Sequence, residues 1–262
     1  TDAAYQAAGA EVVAERDRVW REGEVILTVD SPTDQEVAWL SPGSTILGFL
    51  DPLGAPEGMA KLRDHGVTAL AVELVPRSTR AQAADALSSQ ASLAGYKAVL
   101  LAASALPKYF PMLTTAAGTI RPAKVLIMGV GVAGLQAIAT ARRLGATVEA
   151  FDIRPETKEQ VQSLGAKFIE IALDEATGDG TGYAKEQSAE AQQKTQELLS
   201  DRVAAADVVI TTARVPGKRA PQLVSSAMVD RMKAGAIVVD LAADQGGNCA
   251  YTEAGKDVVT AN

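Results

Sequence analysis

The sequence predicts an α/β protein of two parallel-sheet units joined by a long helix, the second unit doubly wound. Three observations carry this. Short apolar runs alternate with stretches of helical period along the chain, as strands laid parallel between helices require. An alanine-rich stretch from 80 to 105 is long enough to bridge two units. Residues 124–154 then compress strand, glycine-rich turn, helix and second strand into one βαβ unit.

Taken in order, the opening DAAYQAAGAEVV reads as a helix running toward a strand. Units of this kind normally open on a strand, so the first is expected to lack its own. Apolar runs at 25–29, 45–50 and 69–74 read as strands, with a helix at 56–65 between the last two. Pro76 and Ser78 punctuate the exit from the third strand, and the long helix follows, closing a first domain at 1–105. Pro107, Pro111, Gly118 and Pro122 mark residues 107–123 as a connection into a second domain at 106–262. Its strands fall at 124–128, 147–151, 167–171, 207–212 and 236–241, with 258–260 a possible last one. Between 172 and 203 the chain is glycine-rich and polar, then helical; a connection of that length is disordered or functional.

Composition excludes several function classes. The net charge is −7 and no Lys/Arg cluster stands out, so nucleic acid is not expected as a partner. Cys249 is the single cysteine and His65 the single histidine. An internal disulfide framework and a histidine- or thiolate-based metal site therefore cannot be assembled, and a reducing, cytoplasmic setting is expected. Cys249 suits a small buried hydrophobe. His65, before Gly66, suits a helix end. The longest uncharged apolar run, 98–106, is far short of the roughly 20 residues of a membrane span. No signal peptide opens the sequence. The acids of DEATGDG lack the spacing of a calcium loop, and no Gly-x-Ser-x-Gly elbow occurs.

The chemistry concentrates in KVLIMGVGVAGLQAIATARRLGATVEAFDIR. Gly129 permits a tight strand-to-helix turn, and Gly131 lets a pyrophosphate approach the backbone. Gly134 lets the helix pack on the strand, and the N–H groups of Val132 and its neighbours point at the phosphates. Asp152 ends the second strand eighteen positions beyond Gly134. Its carboxylate can accept from both hydroxyls of an adenosine ribose and would repel a 2′-phosphate. The pattern is a Rossmann fingerprint with its acid, and it points to NAD(H). Arg154, just past the strand, tempers the choice, because an arginine there can accommodate a 2′-phosphate.

Other stretches leave alternatives open. Gln82, Asp85 and Ser88 fall at i, i+3 and i+6 of the expected helix, with Arg77 and Arg80 just before. They fit either a solvated helix start with an Arg–Asp pair or a ligand site at a strand's carboxyl end. AADQGGN (242–248) and TTARVPG (211–217) each follow a strand at that same end. Each is a tight turn or a crevice wall near the nicotinamide.

With those residues laid out, the chain resembles the NAD(H)-binding domain (domain I, alpha subunit) of proton-translocating NAD(P)+ transhydrogenases. The similarity runs nearly end to end. It includes VPRSTRAQAADALSSQASLAGYKAV (75–99), the fingerprint stretch, GYAKEQS (182–188), TTARVPGKRAP (211–221) and DLAADQGGN (240–248). The resemblance implies that Arg77, Gln82, Asp85 and Ser88 hold the dihydronicotinamide at the hydride-transfer site. It implies that Asp152, Ile153 and Arg154 contact the adenosine ribose. Gly182 and Tyr183 would close over the nucleotide, and Ala213 and Arg214 would line its cleft. It further implies direct hydride transfer to NADP(H) on a partner domain, coupled to proton translocation by a membrane domain. A homodimer, peripheral to the inner (plasma) membrane on its cytoplasmic side, is expected on the same grounds. So are an opening strand and a return segment that residues 1–262 do not include.

Two other functions fit the architecture. Alanine dehydrogenase has the same two-domain plan, but it resembles this chain less where it carries chemistry. It places a histidine just after the 45–50 strand, where Asp51 stands here, and a lysine near 28–30, where none occurs. The other alternative is a non-catalytic NAD(H)-sensing module, for which the polar cluster at 77–88 would serve no reaction.

Overall fold

The computed structural model describes residues 1–76, 78–170 and 189–261, the side chains of 189–194 excepted. The chain divides into two compact units, Thr1–Leu87 and Ser88–Asn262. Both are Rossmann-like α/β units with parallel sheets, and the second is doubly wound.

The first unit opens on α1 (Asp2–Ala7), which buries no residue, and α2 (Arg16–Glu22), which buries Trp20. Then come β1 (Val25–Leu27), α3 (Asp34–Trp39), β2 (Thr45–Gly48), α4 (Pro56–Asp64) and β3 (Thr68–Ala71). A capping box starts α3: the Thr33 hydroxyl accepts from the Glu36 N–H while the Glu36 carboxylate accepts from the Thr33 N–H. Pro56 opens α4, where its missing N–H costs nothing. His65 caps its end and places Nε2 2.8 Å from the Leu40 carbonyl.

The three strands pair in parallel in chain order. One face packs Ile26 and Ile46 against Trp20, Val37, Leu40 and Leu62. The opposite face carries Leu27, Leu47 and Leu70 in one cross-strand row. Leu27 is 75% exposed and Leu70 50%. The strands end earlier than the apolar runs suggest. Glu73, in a 3-10 turn (Val72–Leu74), accepts the N–H groups of Leu50 and Asp51 with Oε1, which takes those donors out of the ladder.

α5 (Ala86–Ala105) spans the division between the units. It starts six residues later than the expected 80, because Gln82–Ala84 is a 3-10 turn and Asp85, a residue type preferred just before helices, precedes Ala86. Residues 107–123 are more than a connection. They hold β4 (Leu113–Thr115) and β5 (Gly118–Ile120), an antiparallel hairpin. Then follow β6 (Lys124–Met128), α6 (Val132–Arg143), β7 (Thr147–Phe151), α7 (Thr157–Ser163) and β8 (Lys167–Phe168). After the undescribed stretch come α8 (Ala189–Ala205), β9 (Val208–Thr211), α9 (Ser226–Asp230) and β10 (Ile237–Asp240). The expected strand at 258–260 does not form; the run joins neither parallel sheet, and Val259 is exposed.

The second sheet is all parallel, in the order β10-β9-β6-β7-β8. Val125, Ile127, Val148, Ala150, Val208 and Ile210 face α5, α6 and α7. Leu126, Met128, Phe151 and Val209 face α8 and α9. Burial on both faces explains why these strands are predominantly apolar. At the amino end of the sheet, the buried Asp207 carboxylate binds Lys108 Nζ and Lys233 Nζ, each at 2.7 Å, and the Lys124 N–H at 2.8 Å. It thereby ties the segment after α5 to the strands. Burial alone would raise its pKa; the two lysine bonds and the backbone bond outweigh this and hold it below the usual aspartate range.

Candidate nucleotide-binding site

Chain order in the second sheet runs outward from β6 to β7 and β8, then returns to β9 on the other side of β6. That reversal leaves a crevice at the carboxyl ends of β6 and β9, where open α/β sheets bind ligands. Met128 delivers the chain into it at Gly129, whose φ of +101° a side chain would strain. The Gly129 N–H donates to the Phe151 carbonyl at 2.8 Å. A Cβ on Gly134 would sit 2.0 Å from the Gly129 carbonyl oxygen, so the helix can approach the turn this closely only with glycine there.

Gly131 is different: a Cβ there would meet nothing within 4 Å. It is the N-cap of α6 and supplies no side-chain cap. The first N–H groups of the helix thus lack intrahelical partners and face open space. This cradle fits a pyrophosphate, and Val132 stands half-exposed at its lip.

Asp152 follows β7 beside this turn, and its surroundings differ from the free acceptor that spacing alone suggests. Oδ1 accepts from the Arg154 N–H and Nε, both at 2.9 Å. Oδ2 accepts from the Val130 N–H at 2.7 Å and Arg154 Nη2 at 2.9 Å. The side chains of Asp152 and Arg154 are only 5% and 10% exposed. The carboxylate therefore pins the glycine turn and is already bridged by a fork-like guanidinium. Ile153 points the other way, packed against the core that faces α8 and α9.

Across the crevice, Thr212 Oγ1 donates to the Gly129 carbonyl at 3.0 Å. Ala213 follows, and both of its backbone polar groups are bound to the Asn248 amide. Arg214 forms an ion pair with Asp244, joining the segments after β9 and β10. Asn248 lies in the 242–248 stretch that the sequence offers as a tight turn or a crevice wall, and Asp240 just precedes it; the clamp these two residues build is not contained in the motif. Their signal, a polar residue beside a glycine pair and an acid at a strand end, is weak without the fold. Burial pushes the Cys249 thiol above its ordinary pKa, which keeps it protonated and suits a packing role.

The structure thus brings Gly129, Gly131, Val132, Gly134, Asp152, Arg154, Ala213 and Arg214 to the carboxyl edge of the second sheet. Gln82 and Asp85 belong to the first unit, and Ser88 begins the second. Gln82 lies exposed in the 3-10 turn, and only Ser88 of the three is helical, so the single helical face expected for them is not formed. The turn's own hydrogen bonds, Ala84 to Ala81 and Asp85 to Gln82, replace it. Arg77, Gly182 and Tyr183 lie outside the described residues. Among the described residues no His, Cys, Asp or Glu group could hold a metal ion. Nor is any helix among them long and apolar enough to cross a membrane.

Comparisons with known proteins bear on the fold and the family. The family described as alanine dehydrogenase/PNT, N-terminal domain matches residues 1–94, and the corresponding C-terminal domain matches residues 98–262. The NAD(P) transhydrogenase subunit alpha of Haemophilus influenzae is 48% identical over 261 residues, covering 100% of this chain and 51% of that protein. The chain thus spans about half the length of that relative. In Rhodospirillum rubrum, the first of the chains that make up the NAD(P) transhydrogenase alpha subunit is 46% identical over 268 residues, covering 99% of this chain and 69% of that one. A crystal structure of transhydrogenase from Sinorhizobium meliloti superposes with a TM-score of 0.85 at 45% identity, covering 99% and 70% of the two chains. With both domains matched in order and alpha subunits aligned along its length, the chain belongs to the alanine dehydrogenase/PNT family, as a relative of the transhydrogenase alpha subunits.

Proposed function

We propose that this chain binds NAD(H) in the crevice of its second unit and is the NAD(H)-binding component of a proton-translocating transhydrogenase. The observation that carries the reading is Asp152, held at the end of β7 against the glycine turn at the N-terminus of α6. A diphosphate over Gly131 would place its adenosine ribose toward that acid and its nicotinamide half toward β9.

When bound, NADH supplies a hydride from its dihydronicotinamide; NAD+ is left here and NADP+ on a partner domain is reduced to NADPH. Transfer between two nicotinamides needs alignment and exclusion of water more than an acid or base. A chain with one histidine, spent on the Leu40 carbonyl, is consistent with that. In this proposal Arg77, Gln82, Asp85 and Ser88 hold the dihydronicotinamide, and Gly182 and Tyr183 close the site. The membrane domain and its coupling to protons belong to partner domains. The chain itself works as a homodimer on the cytoplasmic side of the inner (plasma) membrane.

The alanine dehydrogenase reading is weaker on the residues at the first sheet's carboxyl edge. Asp51 is spent locally, with Oδ1 accepting the Gly54 N–H at 3.1 Å, and Thr28 Oγ1 donates to the Asp30 carbonyl at 2.7 Å. The histidine and lysine that the dehydrogenases place near these positions, and that would supply the acid/base of amino-acid oxidation, are absent here.

The test is titration with NADH and NADPH, followed by mixing with a transhydrogenase NADP-binding domain and an oxidised NADP analogue. Preference for NADH plus reduction of the analogue is the expected result. Alanine-dependent reduction of NAD+ without the partner would move the assignment to the dehydrogenase. Selective binding with neither activity would favour a sensing module.

A further inference from the structure

We infer that Asn248 is a positioning residue for the nicotinamide half of the bound nucleotide; the inference rests on the NAD(H) reading above. Asn248 is fully buried. Its Oδ1 accepts the Ala213 N–H at 3.0 Å, and its Nδ2 donates to the carbonyls of Ala213 at 2.9 Å and Pro221 at 2.7 Å. A donor on one side and two acceptors on the other allow the amide a single orientation. One side chain therefore grips both polar groups of a single residue, 35 positions away in sequence.

The grip is itself anchored. The Asn248 N–H donates to Asp240 Oδ2 at 2.7 Å, and its carbonyl accepts from the N–H groups of Leu223 and Val224. Asp240 Oδ2 also takes the Cys249 N–H and the Thr252 hydroxyl, while Oδ1 takes the Ala242 N–H. The Asp240 carboxylate at the end of β10 thus fixes the 242–252 segment, and Asn248 passes that fixity to Ala213.

Ala213 matters because of where it stands. Thr212, next to it, holds the Gly129 carbonyl, and a Cβ on Gly129 would come within 3.0 Å of the Ala213 nitrogen. Ala213 is therefore the wall opposite the glycine turn on the β9 side, while Asp152 marks the adenosine side beyond β7. With its N–H and carbonyl both bound, the segment cannot swing to bond a ligand. It acts as a fixed surface against which a nicotinamide riboside can be aligned.

The experiment compares NADH with 5′-AMP, which lacks the nicotinamide half, by titration calorimetry of the unaltered chain, Asn248→Ala and Asn248→Ser. Losing the clamp should weaken NADH by about tenfold in Asn248→Ala, as loss of buried hydrogen bonds does. Asn248→Ser, which keeps a donor and an acceptor, should fall between. AMP affinity should be unchanged in both. A general loss of folded protein would lower the two ligands together, so the ratio of their affinities separates positioning from support. Equal losses for NADH and AMP, or no loss of NADH, would overturn the inference while leaving the nucleotide reading intact. If Asn248→Ala does not fold, the serine variant carries the same comparison. Failure of the unaltered chain to bind NADH would overturn both.

Discussion

Asp152 has about four lone-pair positions, and its own chain fills each of them: two from the Arg154 guanidinium, one from the Arg154 N–H, one from the Val130 N–H. A ribose diol brings two O–H donors, which is the number the guanidinium contributes. The nucleotide would therefore exchange with the Arg154 fork two for two, leaving the backbone bonds to hold the turn. Discrimination against NADPH then depends on both residues, with opposite signs. Asp152→Ala should weaken NADH, lower its preference over NADPH, and cost about 3 kcal/mol of stability, because the arginine is left buried without its counter-charge. Arg154→Met should raise the NADH:NADPH affinity ratio, since the carboxylate would face a 2′-phosphate uncompensated. Parallel titrations with the two nucleotides check both, and a ratio that moves in the same direction in the two variants would contradict this account. The position of Asp152 was legible from glycine spacing. Its pairing with Arg154 was only half legible: residues two apart at a strand end share a face, but nothing local says that the guanidinium turns back. Asn248 was not legible as a clamp, because its partners Ala213 and Pro221 are distant in sequence and only the fold brings them to it.

Elements that could be read were those whose pattern and surroundings agree. β6, β7 and β9 are predominantly apolar because both faces of their sheet are covered, and α6 follows its glycine turn as the spacing demands. Elements that could not be read depend on competing hydrogen bonds. The β4–β5 hairpin hides among prolines, and α5 starts late because the 3-10 turn before it takes the same residues. Two carboxylates placed at such junctions make the elements sensitive to acid. For Glu36 the Thr33 N–H is the main cause of a lowered pKa, helped by Arg16 and opposed by burial. For Asp207 burial is outweighed by Lys108, Lys233 and the Lys124 N–H. In both cases the folded pKa lies below the unfolded one, so the stabilisation is complete above the ordinary carboxylate range and lost as pH falls through the folded value. Melting temperature should thus hold near neutral pH and drop below about pH 4. Asp207→Asn should lower it at pH 7 and flatten the acid decline to some extent; an unchanged slope would mean that Asp207 does not contribute to it.

On the scale of the whole molecule, acidic charge and one sheet face that is part-exposed among the described residues pull in different directions. A net charge of −7 opposes non-specific association, whereas the Leu27–Leu47–Leu70 row offers an apolar strip on a parallel sheet, an architecture that normally hides both faces. Salt screens the first effect and strengthens the second. The strip gives the protein a chromatographic personality unlike that of an ordinary acidic enzyme. It should cling to a phenyl resin in sulfate and let go as the salt is withdrawn, and a Leu27→Lys/Leu70→Lys variant should leave the same column early.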